Sequence, residues 1–230
     1  MKTLKTWVAG AAIVALTGAA QAALIDRGGG MIYDTTRNIT WLADMNYAKT
    51  QFENTSGAQG DADGRMTWAA ATAWANTLVY GGYSDWRLPT VAQPDTSCSS
   101  TINGGTPNAQ YIGYNCTGSE MGHLFYADLG GKAEESVLEQ TGDTDLEKSN
   151  LALFNNVQAS DYWTGLEYPP IPGTRAWKFQ TQWGWQTFTN KSFELYALAV
   201  RPGDVPEPQT LALALLALGA TVVARRRRSR

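Results

Sequence analysis

One histidine, two cysteines and 17% charged residues are the scarce features of this 230-residue chain. A single His excludes every metal site that needs two imidazoles and every mechanism that needs a pair of histidines. Two Cys exclude a disulfide-dense scaffold and a four-cysteine zinc site. The 43% of hydrophobic residues excludes global disorder, and the length suits one domain with a substantial core, with or without tails.

The first 22 residues have the three parts of a secretory signal peptide. Lys2 and Lys5 give the positive start, an apolar run covers 7–16, and a small-x-small cleavage sequence ends at Ala22. We therefore expect export and cleavage between Ala22 and Ala23. An N-terminal membrane anchor is the alternative, which the short run and the Ala-x-Ala ending disfavour.

The last residues combine a proline-glutamate-proline sequence, a short apolar run and an arginine cluster. Pro206, Glu207 and Pro208 precede the run, which covers 211–224. As a helix its 14 residues span about 21 Å, less than the hydrocarbon thickness of about 30 Å, so a permanent span is mismatched. Four arginines follow the run and would stay cytoplasmic: Arg225, Arg226, Arg227 and Arg228.

This order of features closely resembles the PEP-CTERM sorting signal. The resemblance implies a Gram-negative exporter whose exosortase recognises the Pro-Glu-Pro sequence and removes the tail, 204–230. The short transmembrane helix of the tail would hold the chain in the inner membrane only transiently. The destination is then the cell surface, the outer membrane or the extracellular matrix with its polysaccharide. A simple single-pass C-terminal anchor is the alternative.

The two ends hide the charge of the segment between them. From Ala23 to Pro208 there are 11 Lys and Arg against all 21 Asp and Glu, a net charge of −10, whereas the whole chain has −3. A surface this acidic repels phosphate and sulfate groups. Nucleic acid is therefore excluded as a partner, and a sulfated polysaccharide is disfavoured.

Cys98 and Cys116 both lie in the segment expected to be exported, where an oxidising compartment lets disulfides persist. With 17 residues between them, a bond would contribute about 3 kcal/mol by the loop-entropy estimate. We expect a structural disulfide, and two free thiols are the alternative. The spacing is not Cys-x-x-Cys, so redox catalysis has little support.

Periodicity and turn residues predict one hairpin, then helices, then strands. The hairpin joins Met31–Asp34 to Ile39–Leu42. The helices are expected over 68–79, capped by Thr67, and over 120–129. Short strands rich in aromatic residues are expected at 162–166, 176–179, 185–188 and 195–200. These elements make one compact α+β domain over 23–203, with two helices and a late antiparallel β-sheet.

Three sequences carry a resemblance to a known family. They are Asp85-Trp86-Arg87-Leu88-Pro89-Thr90, Tyr162-Trp163-Thr164-Gly165 and Ala199-Val200-Arg201-Pro202. Through them the chain resembles the Lcl C-terminal domain family over about 30–203. The resemblance implies a compact α+β module, C-type-lectin-like in topology, used for surface attachment or binding. The family's association with sulfated glycans through a basic surface does not carry over to this acidic domain.

The first of these sequences also suggests a structural role on physical grounds. Trp86 and Leu88 alternate toward a core face, and the proline that follows ends the strand. Asp85 and Arg87 are expected to form a buried or half-buried ion pair that fixes the local fold. The alternative is that the guanidinium clamps a ligand carboxylate, a question that Arg201 also raises.

Two segments have part of the pattern of a calcium site. The sequence 61–64 places oxygens at alternate positions but lacks the later ligands of an EF-hand, so a polar loop is the better interpretation. Gln93-Pro94-Asp95 matches a tripeptide that some C-type lectins use to bind galactose through calcium, but no Trp-Asn-Asp sequence follows. We expect no metal and no cofactor, with calcium as the remaining option.

Catalytic groups are sparse in this sequence. His123 has no second His and no Gly-x-Ser-x-Gly elbow, so a hydrogen-bonded structural role is favoured. Asp161 and Glu167 flank an aromatic strand and could face each other as a glycosidase pair. Among 21 acids, however, such a pair arises readily by chance. The expectation is that the protein is not an enzyme.

Aromatic residues between 162 and 196 are the best signal of binding. Trp163 and Trp177 are expected in the core, whereas Trp183, beside a glycine in a turn, is expected at the surface. Trp185 shares strand parity with Trp183 and should point the same way. The expected ligand surface contains Trp183, Trp185, Tyr168 and Glu167.

These observations favour an exported, non-catalytic binding or adhesion protein at the cell surface or in the extracellular matrix. Its partners would be an exosortase-type processing enzyme and either a neutral glycan or another surface protein. A secreted carbohydrate-active enzyme that uses an Asp/Glu pair is one alternative. A purely structural matrix component without a small ligand is another.

Removal of the tail has a direct test. Mass spectrometry of the exported protein should find a first residue of Ala23 and no peptide from 211–230, because both ends are expected to be cut. The unprocessed protein in the inner-membrane fraction is the control. Tail peptides that persist in exported material would contradict processing and favour the permanent anchor.

Overall fold

The structure, a computed structural model, describes residues 24–204. The expected signal peptide and its cleavage between Ala22 and Ala23 lie outside the described residues. So do Pro206-Glu207-Pro208, the apolar run with its expected transmembrane helix, and the arginine cluster. Within 24–204, no helix has the length and apolar character needed to cross a membrane.

The described residues form strands, four α-helices and one π-helical turn, which confirms the α+β class. In chain order the elements are β1 (Leu24–Asp26), β2 (Met31–Asp34), β3 (Ile39–Leu42), α1 (Tyr47–Asn54), β4 (Arg65–Met66), α2 (Trp68–Thr77), β5 (Ser100–Ile102), β6 (Gln110–Ile112), α3 (Glu120–His123), the π-turn (Leu124–Asp128), α4 (Asp145–Leu151), β7 (Asp161–Glu167), β8 (Arg175–Gln180), β9 (Trp185–Asn190), β10 (Leu195–Tyr196) and β11 (Val200–Pro202).

One sheet brings the two ends of the described chain together. Its order is β1-β2-β3-β11, and every neighbouring pair is antiparallel. The expected hairpin is confirmed as β2 and β3, with Asn38 in the turn at a φ of 52°. Arg27, just after β1, pairs with Asp204, just after β11, at 2.6 Å. The ends of the domain are therefore adjacent.

A second sheet carries most of the late aromatic residues. Its order is β4-β10-β7-β8-β9, and β7, β8 and β9 form the expected antiparallel meander. Trp163 and Trp177 are fully buried in it, as the sequence predicts. The sheet is not purely antiparallel, because Tyr196 in β10 pairs in parallel with Tyr162 in β7. A separate ribbon contains β5 and β6.

The prediction of one strand over 195–200 is wrong. The segment divides into β10, whose Leu195 pairs with Met66, and β11, whose Val200 pairs with Trp41. Leu198 lies between them, fully buried. A continuous apolar run does not reveal where a chain leaves one sheet for another, so this division was not visible in the sequence pattern.

The described residues contain four helices where two were expected. Helix α2 begins as predicted after Thr67, whose side chain accepts a hydrogen bond from the Ala70 N–H, and it ends at Thr77, two residues early. Helices α1 and α4 are not predicted by the periodicity. Helix α4 nevertheless begins with a capping box, in which Thr144 and Glu147 exchange hydrogen bonds.

The helix expected over 120–129 is interrupted. Helix α3 lasts one turn, and the Leu129 N–H then donates to the carbonyl oxygen of Leu124, five residues back, which is the bond of a π-helix. The apolar stripe is buried as expected, namely Met121, Leu124, Phe125 and Leu129. The wider turn changes which of its side chains share a face.

The hydrophobic core joins both sheets through the π-turn. Its largest cluster contains Trp41, Trp86, Phe125, Tyr162 and Phe179, each at most 2% exposed. A second cluster lies where α2 packs on the second sheet, and includes Ala71, Ala75, Leu88 and Trp163. Burial of one such large side chain contributes about 1.5–3 kcal/mol.

The expected disulfide between Cys98 and Cys116 is present, with Cα atoms 4.2 Å apart. Helix α3 packs directly against the backbone of Cys116. A Cβ at Gly122 would lie 2.0 Å from the carbonyl oxygen of Cys116, so only glycine fits there. The disulfide therefore anchors the loop that carries β5 and β6 against α3.

Removing the disulfide should destabilise the domain. The double variant Cys98→Ala/Cys116→Ala is expected to lower the free energy of unfolding by about 3 kcal/mol, because the open chain has more conformations to lose on folding. Urea denaturation of the oxidised protein and of the variant measures this difference. Wild-type protein in reducing agent is the control and should lose a similar amount. A variant as stable as the oxidised protein would contradict the expectation.

Candidate functional site

The segment 85–90 organises the domain through two ion pairs, but not the pair expected from the sequence. The Nε and Nη2 atoms of Arg201 donate to the two carboxylate oxygens of Asp85 at 2.7 and 3.0 Å. This hydrogen bonding lowers the pKa of Asp85. The Arg201 guanidinium also lies 4.0 Å from the ring centroid of Tyr83. The prediction that Asp85 pairs with Arg87 is wrong.

Arg87 pairs instead with Glu120 at the start of α3. Its two Nη atoms donate to the two carboxylate oxygens at 2.8 and 2.7 Å, and the Thr90 N–H donates to one of them at 2.6 Å. The Glu120 side chain is only 11% exposed. Both guanidinium groups, of Arg87 and Arg201, are thus bound to protein carboxylates, so the geometry does not favour a role in clamping a ligand.

The apolar residues of the same segment are buried. Trp86 and Leu88 are 2% and 3% exposed, and Pro89 accepts a hydrogen bond from the Gly165 N–H. The segment is not a strand, however: it has one isolated bridge, in which Arg87 and Val200 exchange backbone hydrogen bonds at 2.8 and 2.9 Å. Trp163 donates its indole N–H to the Met66 carbonyl oxygen.

Trp183 is exposed as predicted, at 51% of its surface. It lies in the turn between β8 and β9, which we call the Trp183 turn (residues 181–184). The indole is exposed, but the backbone is fixed: the Trp183 carbonyl accepts from the Glu134 N–H at 2.9 Å, and the Tyr126 hydroxyl donates to the Gly184 carbonyl at 2.6 Å. Gly184 has a φ of +71°, and a Cβ there would lie 2.4 Å from the Tyr126 oxygen.

Trp185 is half-buried and begins β9, whereas Trp183 lies in the turn before it. The expectation that the two share strand parity is therefore wrong. The Trp185 ring meets Tyr114 edge to face, with centroids 4.5 Å apart. Desolvation, together with the carboxylate of Glu134, raises the pKa of Tyr114. Two aromatic rings, of Tyr114 and Trp185, and the Glu134 carboxylate therefore lie near the Trp183 turn.

Tyr168 does not join this surface. It is 4% exposed, and its ring stacks on Phe188 with centroids 3.6 Å apart and planes inclined by 18°. Trp177 closes the same cluster from the side, 5.4 Å from Tyr168. The expectation of a ligand-binding Tyr168 is corrected by this burial, which comes from packing against β8 and β9, the two strands that follow it.

Asp161 and Glu167 lie at opposite ends of β7, and each has its own lysine. Lys178 donates to Asp161, and Lys191 donates to Glu167. Burial alone would raise the pKa of Asp161, but hydrogen bonds from Lys178 and two glutamines outweigh it and lower the pKa. The structure does not bring the two carboxylates together.

The two segments with part of a calcium pattern use their oxygens internally. Asp61 accepts from the N–H groups of Asp63 and Gly64, as in a polar turn. The side-chain amide of Gln93 exchanges two hydrogen bonds with the backbone of Tyr111. Asp95 is 5% exposed and accepts from Ser97 and Gly118.

An open groove of about 520 Å³ lies between α1 and α2. Trp74 and Gln51 line it, and the indole N–H of Trp74 donates to the Gln51 side chain at 2.8 Å. Val79, which is 70% exposed, forms its rim. Helical periodicity assigns Trp74 to no site, so the sequence did not indicate this groove.

A buried polar cluster lies where β2 meets α3 and the π-turn. Asp34 ends β2, and His123 and Asp128 flank the π-turn. Burial raises the pKa of Asp128 to about 7; the Asp34 carboxylate adds to this and Arg37 opposes it. Burial and Arg37 lower the pKa of His123, so the imidazole is neutral at pH 7. The sequence flagged only the histidine, because its acidic partners are brought in by the fold.

The fold defines a compact α+β module with adjacent ends, and comparison with known families is consistent with it. The model of the Lcl C-terminal domain family matches residues 30–201, which is most of the chain. The chain therefore belongs to the Lcl C-terminal domain family. The model of the PEP-CTERM protein-sorting motif matches residues 204–228.

The sorting motif has a coarse functional meaning. It assigns the chain to exported proteins that are sorted to the cell envelope, and it implies processing by an exosortase. No curated protein and no solved structure matches the chain, so the C-type-lectin-like topology is not confirmed.

Breaking the Arg87–Glu120 pair should be costly. Glu120→Gln is expected to lower the free energy of unfolding by about 2–4 kcal/mol, because it leaves the Arg87 charge half-buried without its partner. Glu53→Gln is the matched control, since Glu53 forms an exposed pair with Lys49 at 3.7 Å and should lose less than about 0.5 kcal/mol. Urea denaturation of the three proteins measures both changes. Equal losses in the two variants would contradict the structural role of Glu120.

Proposed function

We propose that this chain is a non-catalytic, exported binding or adhesion protein that meets a neutral glycan with the ring of Trp183. The observation that carries the proposal is an indole 51% exposed on a turn whose backbone is held by Glu134 and Tyr126. Large aromatic rings at the surface dominate recognition sites, because they offer much apolar area at a small entropic cost. The family membership and the sorting motif agree with a role at the cell envelope.

The rigidity of the Trp183 turn supports binding over chance exposure. Both Trp183 and Gly184 donate their N–H groups to the Gln180 carbonyl oxygen, at 3.2 and 2.8 Å. A ring presented by a fixed backbone loses little freedom when a ligand arrives, so more of the contact energy appears as affinity. An indole face placed in this way suits the CH face of a sugar ring.

Residues near the Trp183 turn supply polar groups. Glu134 and the Tyr114 hydroxyl lie next to the half-buried Trp185, and Gln182 donates to Asp161 at 2.9 Å. Sugar hydroxyls need donors and acceptors of this kind around an apolar platform. The net charge of −10 between Ala23 and Pro208 favours a neutral glycan over a sulfated one.

The family's implied C-type-lectin-like topology is part of this proposal. The first and last described strands share one sheet, so the domain closes on itself and its ends leave from one place. A long irregular segment, stapled by Cys98–Cys116, is inserted between α2 and α3.

The arrangement of acids supports a non-catalytic protein over a carbohydrate-active enzyme. A glycosidase places its two carboxyl groups about 5–10 Å apart. Asp161 and Glu167 are the two ends of β7, and they pair with Gln180 and Ala176, which lie about 13 Å apart on β8 by the rise of a strand. Each carboxylate is also bound to a lysine. Neither carboxylate therefore suits attack on a bound sugar.

A glycan array tests the proposal. The protein purified in its exported form should bind neutral glycans, and Trp183→Ala should weaken that binding at least tenfold, because it removes the exposed ring. Phe193→Ala is the matched control: Phe193 is 54% exposed, but it lies beyond the far end of β9 and should leave binding unchanged.

Other outcomes would overturn the proposal in distinct ways. Turnover of a bound oligosaccharide would favour the carbohydrate-active enzyme. Binding that survives Trp183→Ala would move the site elsewhere, with the groove at Trp74 as the first place to look. Binding to another surface protein but to no glycan would change the class of ligand, and no binding at all would favour a structural matrix component.

A further inference from the structure

Three ligand-type side chains, one each from β2, α3 and the π-turn, meet in the interior. Asp34, His123 and Asp128 each offer one atom to a group whose members all lie within 4.8 Å of one another. Asp34 and Asp128 are 1% and 2% exposed. The histidine is the most exposed member, with 14% of its side chain exposed, but its Nε2 atom is buried.

The unpartnered atoms of this group point to a ligand. Asp34 Oδ2, His123 Nε2 and Asp128 Oδ2 are all buried without a hydrogen-bond partner, and His123 Nε2 lies 3.8 Å from Asp128 Oδ2. A buried polar atom left unpaired costs about 1–3 kcal/mol of folding stability, so three such atoms in one cluster destabilise this part of the domain. They are also the atoms that a bound ion would contact.

The backbone positions the three atoms independently. The other carboxylate oxygen of Asp34 accepts from the N–H groups of Thr36 and Arg37, both at 2.9 Å, which turns Oδ2 inward. His123 and Asp128 are five residues apart, the spacing of the π-helical bond from Leu129 to Leu124. Turns of this kind recur at functional sites, because they realign side chains that an α-helix would separate.

The dimensions suit a single small ion. Three atoms no more than 4.8 Å apart share a point within about 2.8 Å of each of them. Zinc ligands lie about 2.0–2.2 Å from the metal, so shifts of about 0.6–0.8 Å would complete the contacts. Side-chain rotation about χ angles supplies movements of that size.

Charge permits a cation despite a nearby arginine. Arg37 is the positive group beside the cluster, but its two Nη atoms donate to the carbonyl oxygens of Thr117 and Gly118. Asp34 and Asp128 supply two carboxyl groups and His123 supplies an imidazole nitrogen, so the cluster holds three potential ligands beside this one guanidinium.

We propose that Asp34, His123 and Asp128 form a binding site for one divalent transition-metal ion, with Zn²⁺ as the best fit. An imidazole nitrogen with two carboxylate oxygens is a borderline donor set that suits Zn²⁺. Calcium fits poorly, since it takes six to eight oxygens. The ion would tie β2 to the π-turn. The site is separate from the Trp183 turn, so neither proposal depends on the other.

Metal titration of the protein purified in its exported form tests the site. After treatment with EDTA and removal of the chelator, calorimetry should give one Zn²⁺ per chain, and Zn²⁺ should raise the melting temperature. Asp128→Asn and His123→Gln should each weaken Zn²⁺ binding at least tenfold, because each removes one ligand. Asp143→Asn is the matched control: its carboxylate is 2% exposed but is bound to Lys132.

A second readout keeps the test independent of stability. Co²⁺ in place of Zn²⁺ should give a visible absorption spectrum that Zn²⁺ abolishes by competition and that His123→Gln changes, and circular dichroism shows whether each variant is folded. Absence of stoichiometric Zn²⁺ binding to the wild type would overturn the proposal. So would wild-type affinity in both ligand variants.

Discussion

The pairing of Arg87 with Glu120 is the interaction on which the rest of the domain depends. It fixes the start of α3, and Arg87 also exchanges backbone hydrogen bonds with Val200 in β11. The first sheet is thereby joined to α3 and, through Trp86 and Leu88, to both hydrophobic clusters. A bidentate pair has one orientation, so it specifies geometry as well as contributing energy.

The position of α3 in turn determines where the Trp183 turn and the His123–Asp128 pair lie. The helix must rest on the disulfide backbone at Gly122, and it continues into the π-turn, whose Tyr126 hydroxyl holds the Trp183 turn. The same turn places Asp128 Oδ2 3.8 Å from His123 Nε2. One short helix therefore connects the family's sequence signature with both proposed sites, although neither site contains a residue of that signature.

Local patterns predicted much of the fold, and long-range pairing accounts for what they missed. The β2–β3 hairpin, the start of α2, the buried Trp163 and the exposed Trp183 follow from neighbours in sequence. Asp85 finds Arg201, more than a hundred residues away, and Tyr168 is covered by a strand that arrives later. The π-turn has no characteristic sequence periodicity, so the sequence did not indicate that His123 would lie beside Asp128. Composition, likewise, excluded sites with several histidines but not a site with one histidine and two acids.

The buried polar cluster sets a constraint that packing alone does not explain. Hydrophobic side chains of similar size at 34 and 128 would fill the same space without leaving carboxylate oxygens unpaired. Asp34 has a local use, because its Oδ1 atom accepts from the Thr36 N–H, but the Oδ2 atom of Asp128 accepts no hydrogen bond. A domain of marginal stability tolerates such a penalty where something offsets it. An ion held by atoms that the backbone already orients is the offset most consistent with their geometry, and it would act on the same helix that Arg87 holds from the other end.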